Sequence, residues 1–112
     1  MHDAGARVVY EVNLDVEVAI AGEFRAWLDA HVREILALPG FLGVRVCEVR
    51  DPPPADDRLH LCVQYTLRDA AALDAYLRDH APRMRAQGLA RFDGHFTAQR
   101  RVMGLAMELG RA

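Results

Sequence analysis

The chain has no serine and no lysine, so its 14 basic residues other than histidine are all arginine. Schiff-base chemistry and a serine nucleophile are therefore closed to this polypeptide. A covalent mechanism would have to use Cys47, Cys62, a carboxylate, Thr66 or Thr97. Proton transfer would fall to a carboxylate or to His31, His60, His80 or His95, because imidazoles and tuned carboxylates are the usual acid–base groups near neutral pH. The two cysteines are too few for a secreted disulfide framework and are expected as thiols. No stretch approaches the ~18 apolar residues of a membrane span. Met1 to Arg7 has no basic segment leading into an apolar run, so a cytoplasmic protein without a membrane partner is expected.

Excess charge of one sign is also missing. A net charge of -2 argues against nucleic acid as a partner, since that affinity is built on a basic surface neutralising phosphates. The charges are unevenly placed, however. Arg78, Arg83, Arg85, Arg91, Arg100, Arg101 and Arg111 outnumber Asp79, Asp93 and Glu108 over the last third, which leaves room for a small anion, although a solvated face is the simpler reading.

What is present fits one globular domain over residues 1–112, with an ordered core over about 8–103. Its 112 residues are 52% hydrophobic and 27% charged, enough to bury roughly two thirds of the unfolded surface. Val8, Tyr10, Val12 and Leu14 alternate with Val9, Glu11 and Asn13, the period-two pattern of a strand. From Ile20 the spacing changes to Phe24, Trp27, Leu28, His31, Ile35 and Leu38, an apolar helical stripe with Asp15 as a cap near its start and Pro39-Gly40 as its stop. Strands over about Phe41 to Arg50 and Arg58 to Leu67 follow, joined as a hairpin by the proline-rich Asp51 to Asp57, which cannot continue a ladder. Leu73, Tyr76 and Leu77 mark a second helix beginning at Asp69. Pro82 either kinks it or opens a short further helix, and a last strand covers His95 to Met103.

The resulting order, βαββαβ, is an α+β ferredoxin-like sandwich. Right-handed crossovers place its four antiparallel strands in the order 4-1-3-2, with both helices on one face. Val8, Tyr10, Val12, Val44, Val46, Leu61, Val63 and Tyr65 suit the covered face. Glu11, Asn13, Arg45, Cys47, His60, Cys62, Gln64 and Thr66 alternate onto the other, and Arg50 opposite Leu59 would set Cys47 across from Cys62.

Tyr10-Glu11-Val12, Trp27 with His31, Gln64-Tyr65-Thr66, the stretch Tyr76 to Arg85, and Phe92 through Phe96 to Arg100-Arg101 together resemble the dimeric αβ-barrel superfamily. Within it the chain resembles an uncharacterised bacterial family, a domain of unknown function. The resemblance implies a homodimer whose polar sheet faces line or close a shared barrel. It carries no established reaction and no catalytic residues. Members of the wider superfamily include cofactor-independent monooxygenases, haem-degrading enzymes, isomerases and stress-related proteins, and no motif here selects among them.

On the open face, His60 and His95 are expected to flank Asn13 or Asp15, with backbones about 9.5 Å apart, twice a typical interstrand spacing. A metal site would need a third ligand, so neither a metal nor a cofactor is expected. Of the two adjacent arginines on the last strand, Arg101 shares parity with His95, Thr97 and Gln99 and is the better open-face candidate. Arg83 and Arg85 could clamp a carboxylate, but at this spacing on a short helix they point to different faces, and exposure is the simpler reading. His31 and Trp27 read as core, and His80 as a helix terminus favoured by the dipole. Three functions follow. The first is a homodimer binding a small polar or anionic organic ligand between its sheets through Asn13, His60, Gln64, Thr66, His95, Thr97 and Arg101. The second is a cofactor-independent oxygenase or isomerase in the same cleft, with His60 or His95 as base and Arg101 stabilising an anion. The third is an interaction protein with no pocket.

Overall fold

The N-terminal period-two run forms strand β1 over Val8–Glu17, three residues beyond its last apolar residue of the expected pattern. The extension has a cause. Asp15 and Glu17, on the open side of β1, hold Arg58 and His95 across the sheet, at 2.7 and 2.8 Å. Asp15 is therefore a strand residue and not the expected helix cap. A single 3-10 turn, Val18–Ile20, intervenes before helix α1 (Ala21–Leu36), whose N-terminus has no side-chain cap. The other elements are β2 (Phe41–Glu48), β3 (Arg58–Leu67), helices α2 (Ala70–Asp79) and α3 (Ala81–Phe92), and β4 (Phe96–Gly104). These come from a computed structural model that describes residues 5–111.

The sheet order is β2-β3-β1-β4, the expected 4-1-3-2 read from the other edge, and the fold is the ferredoxin-like α+β sandwich. β1 is antiparallel to both neighbours, so that Val12 lies between Val63 and Arg100, and Glu11 between Gln64 and Arg101. In the β2–β3 hairpin Cys47 stands opposite Cys62 as expected, with a bulge between Phe41 and Gly43 that buries Phe41 and exposes Leu42.

Even-numbered residues of β1 and odd-numbered residues of β3 face the helices. Val8, Tyr10, Leu14 and Val16 meet Leu61, Val63, Tyr65 and Leu67 there. From above, α1 inserts Phe24, Leu28, Val32 and Ile35, a stripe at helical spacing. Phe24, fully buried, lies 5.2 Å from both Phe92 and Phe96, so one ring ties α1, α3 and β4 together. Asp69 caps α2 by accepting from the Ala72 N–H at 2.8 Å. The chain then turns at His80, whose N–H bonds Tyr76 and whose carbonyl accepts from Met84. Pro82 sits in the first turn of α3, where its missing N–H costs nothing, and α3 is a full helix of 12 residues. Among the described residues no helix is long and apolar enough to cross a membrane.

Gly40 joins α1 to β2 with φ of +88°, and a Cβ there would stand 2.5 Å from the Ala72 Cβ of α2. Backbone strain and overpacking act together at this position. Gly40→Ala is expected to destabilise the fold by about 2–4 kcal/mol. Urea unfolding checks this, with an unchanged midpoint as the contrary result.

Candidate functional site

The open face is organised by a carboxylate. Glu11 is only 2% exposed although no helix covers it, because its own partners lie over it. Its Oε2 accepts from Arg101 Nε at 2.5 Å and from Asn13 Nδ2 at 2.9 Å, and its Oε1 from Gln64 Nε2 at 2.8 Å. The Gln64 Oε1 in turn accepts from Arg45 Nε at 2.8 Å. Arg45, Gln64, Glu11 and Arg101 are direct cross-strand neighbours, so one row of polar side chains spans all four strands. The bond from Arg101, then those from Gln64 and Asn13, hold the Glu11 carboxyl near a pKa of about 2, against the opposing effect of burial. Burial and the adjacent Glu11 charge push the Cys62 thiol up, which disfavours a reactive thiolate there.

Three of the seven residues expected to bind a ligand on this face, Asn13, Gln64 and Arg101, are thus brought together, but around Glu11. The others are spread along the sheet. His60 lies opposite Asp15 with Nε2 at 3.3 Å from its Oδ1, while His95 lies two residues further along β1, beside Glu17. The two histidines therefore hold separate carboxylates and do not flank a common one. Asp15 is lowered from its ordinary pKa, chiefly by the Arg58 hydrogen bond. Asn13, His60 and Thr97 border a hollow of about 280 Å3, and Gln64 and Thr66 another of about 220 Å3. Among the described residues no three His, Cys, Asp or Glu side chains converge as metal ligands.

A second site lies on the other side of the sheet, between β1, β3, β4 and the helices. Its floor is Val12, Leu14 and Val63, and its walls carry Trp27, His31, Tyr76 and Phe96, with Arg85 and Arg100 on its rim. Trp27 and His31 stack, with centroids 4.4 Å apart and planes 23° apart. Gly88 permits this arrangement, because a Cβ at that position would come within 2.9 Å of the Trp27 ring. The cleft encloses about 50 Å3, and it opens to solvent where the helical layer ends. Along the helix side of β4 coverage falls away, from half-buried Phe96 and Ala98 to exposed Arg100 and Val102 at 53% exposure.

The electrostatics of the cleft are distinctive. Arg85 does not simply extend into water but donates to the Tyr10 hydroxyl at 3.0 Å. Arg100, opposite Val12, is the arginine of the adjacent pair that faces the helices. Burial lowers the His31 pKa, with Arg100 adding to the effect and Gln87 and Glu34 opposing it, so the ring is neutral at pH 7. Tyr76 is pushed up to about 12 by burial and stays protonated.

A family model described as "Domain of unknown function (DUF4286)" matches residues 7–106. The chain belongs to that family. Comparison with curated protein sequences finds no match. Solved structures share the fold at low identity. A protein of unknown function from Nitrosomonas europaea superposes with a TM-score of 0.70 at 12% identity, covering 98% of this chain and 99% of that one. SnoaB, a cofactor-independent oxygenase from Streptomyces nogalater, gives 0.64 at 18% identity, covering 95% and 100%. A conserved protein from Methanosarcina mazei gives 0.62 at 17%, covering 89% and 93%. For this DUF4286 member these likenesses establish the fold, and the residues of its two sites stand on their own geometry.

The polar row also makes a pH-dependent contribution to stability of defined sign. Because folding depresses the Glu11 pKa from 4.5 to about 2, its contribution is complete above pH 4.5 and disappears as pH falls through about 2. Glu11→Gln is expected to lose about 1–3 kcal/mol at pH 7. The gap to wild type should close on acidification across that window. Urea midpoints measured from pH 7 to pH 2 check this, and a pH-independent gap would contradict it.

Proposed function

We propose that this protein binds a small planar organic oxyanion in the cleft beneath its helices and that its open sheet face docks against a second copy. The observation that carries the ligand reading is the convergence of Arg85 from α3 and Arg100 from β4 at the rim of an aromatic-walled cleft, where the helical layer stops. A flat ring that entered would lie against the Trp27–His31 stack and the aliphatic floor, and the guanidinium groups suit an oxygen anion at the entrance. The enclosed volume is small, so a ligand larger than a few atoms enters by displacing the two exposed arginine side chains from the rim.

The docking reading rests on the polar row. Glu11 is already buried beneath its own partners, but Arg101, which holds it, is 66% exposed, and a second sheet would cover that arginine. The hollow bordered by Asn13, His60 and Thr97 is the alternative seat for a ligand, enclosed only once such a second sheet covers it.

A catalytic reading is favoured by one observation, the half-buried His31 lining the cleft, together with the fold shared with SnoaB, itself a cofactor-independent oxygenase. In that reading the cleft holds a substrate that needs no prosthetic group, with His31 in place of His60 or His95 as the base.

Benzoate is the simplest probe of the binding reading. Arg100→Gln and Arg85→Gln are each expected to weaken benzoate roughly 10- to 100-fold by calorimetry, the range for a hydrogen bond to a charged group. Benzamide is expected to bind more weakly than benzoate. Equal affinity for both probes, or wild-type affinity in both variants, would overturn the assignment. Native mass spectrometry of the purified protein is expected to show a dimer, and a monomer at micromolar concentration would overturn the docking reading.

A further inference from the structure

The cleft contains a nitrogen whose protonation is set by its surroundings. His31 stacks on Trp27 through its ring face and meets Gln87 through Nδ1, 3.4 Å from the amide Oε1. The Gln87 amide is itself oriented, with its Nε2 3.9 Å from the Met84 Sδ. A carbonyl oxygen only accepts, so this contact favours the neutral imidazole that carries its hydrogen at Nδ1 and its lone pair at Nε2. Gln87 and Met84 lie on α3 and His31 on α1, so the packing of two helices selects the tautomer.

We infer that His31 accepts a proton through Nε2 from the weakly acidic O–H of a phenol or enol in the cleft, with Gln87 as the positioning residue that keeps the lone pair there. This rests on the cleft being the ligand site and names the ligand more narrowly. Such a compound arrives neutral, its ring against Trp27, Tyr76 and Val12 and its oxygen towards the two arginines. In the step the O–H bond breaks, its electron pair stays on oxygen, and an N–H bond forms at Nε2. No other electrons move, and the products are an oxyanion beside Arg100 and Arg85 and an imidazolium stacked on Trp27. A carboxylic acid would need no such base, being ionised already at neutral pH. The charged and titratable groups facing this ring or sharing its cleft are Glu34 on α1, Arg85 on α3, Arg100 on β4, Tyr10 on β1, Tyr65 on β3 and Tyr76 on α2. Burial and Arg100 oppose the imidazolium and Glu34 favours it, so transfer to this weakened base is driven by the two arginines that favour the oxyanion.

4-Nitrophenol tests this, because its anion absorbs in the visible and its neutral form does not. The full chain is mixed with it at a pH below the probe's own pKa, with equilibrium dialysis reporting binding independently of colour. Wild-type protein is expected to bind it and develop the phenolate band. His31→Gln should retain binding without the band, and Gln87→Leu should lower the bound phenolate fraction roughly two- to tenfold, the range for a neutral hydrogen bond. Nitrogen-15 spectra of the free protein should place the His31 hydrogen on Nδ1 in wild type and on a mixture of the two nitrogens in Gln87→Leu. Nitrophenol bound by wild type in its neutral form, or a His31 hydrogen on Nε2, would overturn the inference while leaving the ligand site standing. Benzoate binding without nitrophenol binding would overturn the choice of phenol. Absence of binding by both would overturn the inference together with the ligand site.

Discussion

The row Arg45–Gln64–Glu11–Arg101 is the constraint on which the sheet depends. Each member comes from a different strand, and each hydrogen bond joins residues directly opposite one another. A one-residue slip of any strand would send its member of the row to the opposite face. With Glu11 held by Arg101, β4 can run in only one register, and in that register the next residue back, Arg100, faces the helices. The open-face ion pair and the charged rim of the cleft are two consequences of one alignment. A carboxylate shared by three donors also fixes geometry better than a solvated ion pair, because a lost partner would leave the nearly buried Glu11 oxygens undersupplied.

The cleft exists because a helical layer of limited width covers a four-stranded sheet. Tyr10, Tyr65 and Tyr76 fill one side of the core, in contact with Phe41, and Phe24, Phe92 and Phe96 fill the other. Between them Val12 is only partly buried, and the neighbouring Trp27 finds room because position 88 has no side chain. The helices cover β4 at Phe96 but no longer at Arg100. Polar groups at this margin can thus be charged and wet while the ring systems a few residues away stay dry, which is the arrangement that separates a neutral His31 from two charged arginines.

Much of the architecture was legible in the sequence, for local physical reasons. Alternation in β1 and β3, the proline-rich hairpin, the helical spacing from Phe24 to Ile35 and Pro82 at a helix start are each read within a few residues, and the strand order and the Cys47–Cys62 pairing follow from them. The site was less legible because its contacts are distant in the chain. Glu11 looks like any carboxylate on the wet side of a strand until Gln64 and Arg101 arrive from 53 and 90 residues away. Asp15 resembles a helix cap because an acidic residue before an apolar stripe often is one, and only Arg58, 43 residues on, reveals it as a strand residue. Arg100 had a usable signal. Its parity places it on the covered face, where an arginine is out of keeping with a core and in keeping with a pocket rim. Arg85, one helical turn before Leu89, gives no such clue, since its role depends on the Tyr10 hydroxyl beneath it.

The claim that the ligand sits beneath the helices and not on the open sheet is tested most directly by chemical-shift mapping of the labelled protein during titration with benzoate. The expected result is movement of the Trp27 indole, His31 and Gly88 resonances, with His60, Gln64 and Thr97 left in place. Perturbations centred on His60, Gln64 and Thr97 with an unmoved Trp27 would contradict it and put the ligand between two sheets.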